Sequence, residues 1–183
     1  MTPSGRGPET PDSEDDVLTI AGHDVRRGDA ATVQAVFETD PDYFPRVEAA
    51  PLRPDEGAQC LVERPPRVPV EAKHVWVVGG VAVLDVLHGY PTPTTWYLGL
   101  IFLAPAARGG GLGTTLIEAL CDHAAARGGT ALRLAVTVGH DRARRLYDRL
   151  GFAFVARKTR TGWNAAAVEC DVLERPLVPH PPR

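Results

Sequence analysis

The sequence predicts an α/β (α+β) domain built on a mixed central sheet, and three observations predict it. Strand-like runs follow one another between residues 70 and 103, with the clearest hairpin signal of the chain at Gly79-Gly80. Helix-period and strand-period runs then alternate as far as residue 172, an order that layers helices on a sheet. Between them, a glycine-rich stretch joins an apolar strand-like run to an amphipathic helix-like run. At 183 residues, 44% hydrophobic and 23% charged, the chain has material for one domain with a sizeable core.

Residues 17–25 read as a first strand, and Asp29 is placed to cap a helix whose Val33, Val36 and Phe37 share a face. A second, shorter helix is expected to start near Pro54 and to end before Pro65-Pro66. Residues 70–78 and 81–88 form the hairpin. The turn Pro91-Thr92-Pro93-Thr94 then leads into a strand over 96–103, which stops at Ala104-Pro105. After the glycines, Leu112, Leu116, Ile117 and Leu120 recur at helical spacing up to the stop at Arg127-Gly128-Gly129. Residues 130–138 alternate as a strand, 141–150 read as a helix, and 152–158 with 164–172 close the domain as a strand pair. The acidic residues 1–16 and the proline-rich residues 174–183 lack a core pattern and are expected to be mobile tails around a domain at 17–173.

Charge and composition exclude several functions. A net charge of -3 gives no support for a basic nucleic-acid surface. No apolar run reaches membrane-spanning length and the N-terminus has no signal-like pattern, so a cytoplasmic protein without membrane contact is expected. Cys60, Cys121 and Cys170 are read as reduced, buried thiols, and neither they nor the histidines have the spacing of a metal site. Oligomeric state is not legible, although a homodimer is the commonest assembly where soluble proteins associate.

The stretch Arg108-Gly109-Gly110-Gly111-Leu112-Gly113 is the most informative feature. Glycines let bare backbone N–H groups approach a ligand, and a helix starting there adds the positive end of its dipole. An anion site follows, with a plain turn as the alternative for the glycines taken alone. A nucleotide-hydrolysing loop needs lysine before serine or threonine, whereas Gly113-Thr114-Thr115 stand here. The dinucleotide fingerprint fails too, because Thr114 and Leu116 occupy positions that require glycine or alanine.

A second motif follows one strand later. Arg108-x-x-Gly111-x-Gly113, with Ala143-x-x-Leu146-Tyr147-x-x-x-Gly151-Phe152 after it, resembles the GNAT superfamily of acyl-coenzyme A-dependent N-acetyltransferases. The resemblance is strong over residues 96–158. It implies the family's acyltransferase fold, in which the fourth and fifth strands splay apart and acetyl-coenzyme A is the cosubstrate. On that implication the backbone of Ile101, Phe102 and Leu103 pairs with the pantetheine arm. Gly109, Gly110, Gly111, Leu112, Gly113 and Thr114 wrap the pyrophosphate, and Arg108 adds charge-assisted hydrogen bonds. Tyr147 is the implied general acid that protonates the departing thiolate.

Two departures from the family pattern stand out. His140 occupies the position where many members carry a cofactor-contacting asparagine, and no acid lies on residues 96–103 or 130–138 to serve as base. Asp85 and His88 are the nearest candidates by topology. The acceptor is expected among residues 38–44 and 159–164, with Asp40 and Asp42 holding a cationic amine and Tyr43 and Phe44 walling it in. The leading reading is acetyl transfer to a primary amine of a small molecule in a ternary complex. A protein N-terminal or lysine acetyltransferase and a non-catalytic acyl-coenzyme A sensor are the alternatives.

Overall fold

Six residues, Lys73–Val78 (β2), pair antiparallel with Ala82–His88 (β3) across Gly79 and Gly80, whose φ angles of 55° and 67° fit the left-handed hairpin turn that glycine favours. In the computed structural model, which describes residues 17–178, this hairpin is the centre of growth for a seven-stranded sheet. Val25–Arg27 (β1) adds to the outer edge of β2, and Thr95–Leu103 (β4) pairs antiparallel with β3. Beyond β4 the chain crosses over and returns as Ala131–Thr137 (β5), the one parallel neighbour among the described strands. Ala153–Thr161 (β6) and Ala167–Pro176 (β7) close the sheet in the order β1-β2-β3-β4-β5-β7-β6.

Helices cover both faces. Ala30–Phe37 (α1) begins at Asp29, whose side chain accepts from the Thr32 N–H at 2.9 Å and the Thr32 hydroxyl at 2.7 Å. With Tyr43–Glu48 (α2) and Glu56–Val62 (α3), it packs on one face around Phe37, Phe44, Val83 and Phe102. The other face carries Leu112–Ala126 (α4) and Asp141–Arg149 (α5). There Leu116, Ile117 and Leu120 are fully buried against Trp76, Leu84, Leu132 and Leu134, each such side chain contributing roughly 1.5–3 kcal/mol. Strand alternation divides the two cores, since Val83 and Leu84 face opposite helices. α4 ends where Gly128 takes a φ of 77° and the Gly129 N–H caps the Ala124 carbonyl at 2.8 Å.

Several boundaries differ from the sequence reading, among them three that change the packing. Of the strand expected over 17–25, only its last residue joins β1; Leu18 and Ile20 are buried without ladder pairing, so their apolar pattern marks packing alone. The expected loop after α1 contains a further helix, α2, which tucks Phe44 into the core. β7 runs past 173 to Pro176, and the Leu177 N–H donates to the Thr130 carbonyl at 2.9 Å, which draws residues 174–177 into the domain. The tails expected at 1–16 and beyond 178 lie outside the described residues.

The tightest crossing is at Gly57 of α3. Its N–H donates to Gln34 Oε1 at 2.8 Å, and a Cβ there would collide with the Ala30 carbonyl and the Gln34 backbone. Gly57→Ala is expected to force α1 and α3 apart and to destabilise the protein by about 1–3 kcal/mol, as overpacking does, read as a lowered urea midpoint.

Candidate functional site

β4 and β5 pair only from Thr95 with Ala131 to Leu98 with Leu134. Gly99 then forms a bulge, because Val86 opposes Leu98 and Asp85 opposes Leu100. Past it the strands part, and a cleft of about 1590 Å³ opens, lined by Gly99, Leu100, Ile101 and Leu103 on one side and Ala135, Val136 and Thr137 on the other. Ile101 and Leu103 therefore form part of one wall of this cleft. Phe102 turns its ring into the opposite core, so only its backbone is available.

The glycine stretch closes one end of the cleft. Gly109 and Gly111 adopt φ angles of 88° and 89°, which side chains disfavour, and a Cβ at Gly109, Gly110 or Gly111 would meet nothing within 4 Å. Among the described residues, no acceptor takes the N–H of any residue from 109 to 114, while the next, Thr115, bonds the Gly111 carbonyl at 3.1 Å. Those donors sit at the N-terminus of the fifteen-residue α4, a location that favours negative charge. Gly109, Gly111, Gly113 and Thr114 line the cleft; Gly110 and Leu112 do not, and Leu112 packs partly on the core.

Arg108 is engaged within the protein. Its Nε donates to the Leu103 carbonyl at 2.8 Å and its NH1 pairs with Asp40 at 2.8 Å, so the guanidinium ties the loop to the turn after α1. Asp40 is shared with Arg46 at 2.9 Å, and these hydrogen-bonded arginines lower its pKa against the opposing effect of burial. It is already neutralised and is no free anchor for a cationic amine. Asp42 is exposed at the start of α2 and does not line the cleft. His140, at the N-terminus of α5, does line it; burial, then Arg46, Arg108 and Arg142, hold its imidazole below the usual value and keep it neutral at pH 7.

Tyr147 stands on α5 with its ring buried against Phe152 at a centroid separation of 5.6 Å, facing the cleft. Burial raises its pKa, which keeps the phenol protonated. Arg144 bridges α5 to Asp171 of β7 at 2.9 Å and so fixes that helix. Tyr43 also lines the cleft, its ring edge-on to Phe102 at 5.1 Å, and burial, then Glu48 and Tyr147, raises its pKa.

The two candidate bases separate. His88 lies on the α4 face, 3.0 Å from His74 and with its ring tilted against Trp96 at 5.7 Å, outside the cleft. Asp85 lies on the α3 face, lines the cleft and accepts from Lys73 at 2.7 Å. At the far end, the β6–β7 hairpin closes over the turn after α2: Arg160 pairs with Glu48, Asn164 donates to the Ala49 carbonyl at 3.0 Å, and the Arg53 guanidinium lies 5.6 Å from the centre of the Trp163 ring. Lys73, Arg53 and Trp163 have no spacing signal in the sequence. The three cysteines are free and buried. Among the described residues no group of three His, Cys, Asp or Glu is placed to hold a metal, and no helix is long and apolar enough to cross a membrane.

Comparison with known proteins agrees with this geometry. Over 111 residues the chain is 37% identical to N-alpha-acetyltransferase 40 of Saccharomyces cerevisiae, a match covering 51% of this chain and 39% of that protein, so it spans about two fifths of that relative's length. An N-acetyltransferase from Staphylococcus aureus Mu50 superposes with a TM-score of 0.63 at 17% identity, over 86% of this chain and 100% of the other. The ribosomal L7/L12 alpha-N-protein acetyltransferase RimL, in complex with coenzyme A, superposes with a TM-score of 0.68 at 12% identity, over 88% and 98%. At these identities the structures speak to the fold alone. The model of the acetyltransferase (GNAT) family matches residues 33–152, which run from α1 through the parted strands and the glycine loop to the end of α5. The chain belongs to that acetyltransferase (GNAT) family.

Proposed function

We propose that the protein transfers the acetyl group of acetyl-coenzyme A to a primary amine of a small molecule, by direct attack in a ternary complex. The carrying observation is the row of N–H groups from Gly109 to Thr114 without a protein acceptor, at the head of α4 and beside a gap between two strands. A diphosphate fits the first feature and a pantetheine arm, with two amides, fits the second. Ile101, Phe102 and Leu103 meet the arm through their backbone, and Gly109, Gly110, Gly111, Leu112, Gly113 and Thr114 meet the diphosphate. Arg108 holds the loop in place through Asp40 and the Leu103 carbonyl. His140 stands with Arg46, Arg108 and Arg142 around the anion.

Tyr147 serves as the general acid. Collapse of the tetrahedral species expels a thiolate, and a buried phenol facing the cleft is a proton donor held in the right form. A second reading, acetylation of a protein α-amino group, is favoured by the yeast relative, whose name carries that activity. The hairpin closed over the far end by Arg160 and Asn164 favours a short acceptor over a through-running lysine-containing chain. Buried, free thiols accord with a cytoplasmic setting.

Incubating the protein with acetyl-coenzyme A and a panel of amines, α-amino peptides and lysine peptides, and recording thiol release, separates these readings. Stabilisation by coenzyme A with no release from any acceptor leaves a sensor. Gly111→Val places a side chain at a φ of 89° and in the path of the diphosphate, and Gly113→Val crowds Leu146; calorimetry should show coenzyme A affinity lost in both, and unchanged affinity refutes the loop assignment. Tyr147→Phe is expected to lower kcat by about 10² to 10⁴ with little change in acetyl-coenzyme A affinity, measured by steady-state kinetics.

His140 gives a pH signature. Its folded pKa lies below its unfolded one, so the unfolded chain binds more protons and stability falls as pH drops below about 6.5. A bound diphosphate draws that pKa back up. Calorimetry of coenzyme A binding at about pH 6, in buffers of different ionisation enthalpy, should show proton uptake that His140→Gln removes.

A further inference from the structure

We infer that Asp85 is the proton acceptor for the incoming amine and that Lys73 positions it. The inference rests on the acetyl-transfer reading above and supplies the base that reading lacks. Four carboxylates line the cleft: Glu48, Glu56, Glu63 and Asp85. Arg160 occupies Glu48, and Arg53 occupies both Glu56 and Glu63. Asp85 is held by one oxygen only. Oδ1 accepts from Lys73 Nζ, while Oδ2 has no partner among the described residues and lies against Gly99, where a Cβ would stand 3.4 Å from it.

Gly99 is the bulge at which β4 and β5 begin to part, so Oδ2 lies at the head of the gap into which the acetyl-transfer reading places the thioester. The Lys73 side chain is 2% exposed and that of Asp85 17%, so the ammonium is sealed behind the carboxylate and the carboxylate opens to the cleft. The titratable groups coupled to it are Lys73 from β2, Glu63 just past α3, and Cys60 of α3. Burial raises the Asp85 pKa and Glu63 adds to that, against the pull of Lys73. A carboxylate of raised pKa is a better match for an amine.

The substrate ammonium gives one proton to Oδ2, and the freed lone pair forms the N–C bond to the carbonyl carbon. The C–S bond then breaks, its electron pair goes to sulfur, and sulfur takes the Tyr147 proton. The nitrogen gives up its second proton as the amide forms, which restores Tyr147. Asp85 returns its own proton to water, so one proton is released for each amide made.

The test follows thiol release against pH, with acetyl-coenzyme A and the same amine and peptide panel. Asp85→Asn should lower kcat/KM for the acceptor by about 10² to 10⁴ and abolish the acid limb, while thermal stabilisation by coenzyme A persists. In Lys73→Met the limb should survive, displaced to higher pH. A limb in Asp85→Asn at its wild-type position overturns the inference. Should Asp85→Asn fail to fold, the charge-neutral pair Lys73→Met with Asp85→Asn takes its place. An acceptor-free readout is the carbon-13 titration of the Asp85 carboxyl in the full chain. A midpoint above the ordinary aspartate value of about 3.9, rising further in Lys73→Met, supports the role, and an ordinary midpoint overturns it. Absence of thiol release from every acceptor with the wild type instead sinks the acetyl-transfer reading, and the carboxyl titration still decides the character of Asp85.

Discussion

Where β4 and β5 part after Leu98 and Leu134, each strand keeps one edge of peptide groups facing a gap instead of a neighbour. Each hydrogen bond left unmade forgoes about 0.5–1.5 kcal/mol relative to a continued ladder. The sheet survives because the outer edges are secure: β4 is registered on β3 from Leu103 to Trp96, and β5 on β7 from Ala131 to Thr137. Gly99 supplies the irregularity that turns β4 aside. The gap is thus a fixed feature of the scaffold, and in the proposed complex an extended ligand with amides of its own completes the hydrogen bonding that the sheet gives up.

Charge is arranged around that gap in linked pairs. Arg108 joins the glycine loop to Asp40, Asp40 also holds Arg46, and His140 feels both arginines. The turn after α1 is therefore connected electrostatically to the loop before α4, although the two lie on opposite faces of the sheet. On the other side, Asp85 is coupled to Lys73 through a largely buried pair, where removal of one partner leaves the other charge without compensation.

The features legible in the sequence were those with a local cause. Glycines at 79–80, the helix start after the glycines at 109–113, the period of Leu112, Leu116, Ile117 and Leu120, and the cap at Asp29 each depend on neighbours within a turn or two, and as local structure each forms where it was read. Residues 17–24 misled because burial of Leu18 and Ile20 gives the same apolar pattern as pairing does. α2 was hidden by Pro45 and by its short length. Asp40 looked like a free acid because its partner Arg108 is far along the chain, and Lys73 with Asp85, or Arg160 with Glu48, became pairs only when the sheet brought them together.

The sheet separates two independent interiors, one holding Phe37, Phe44 and Phe102 beneath α1 and α3, the other holding Trp76, Leu116 and Leu132 beneath α4. On the proposed reading, acceptor-side walls belong to the first and the carrier-binding loop is anchored on the second. Exchanging residues in the first interior alters the shape offered to the amine while the diphosphate grip stays as it was. Selectivity for new acceptors is thereby open to gradual modification, one side chain at a time, without relearning how to hold the activated acyl group.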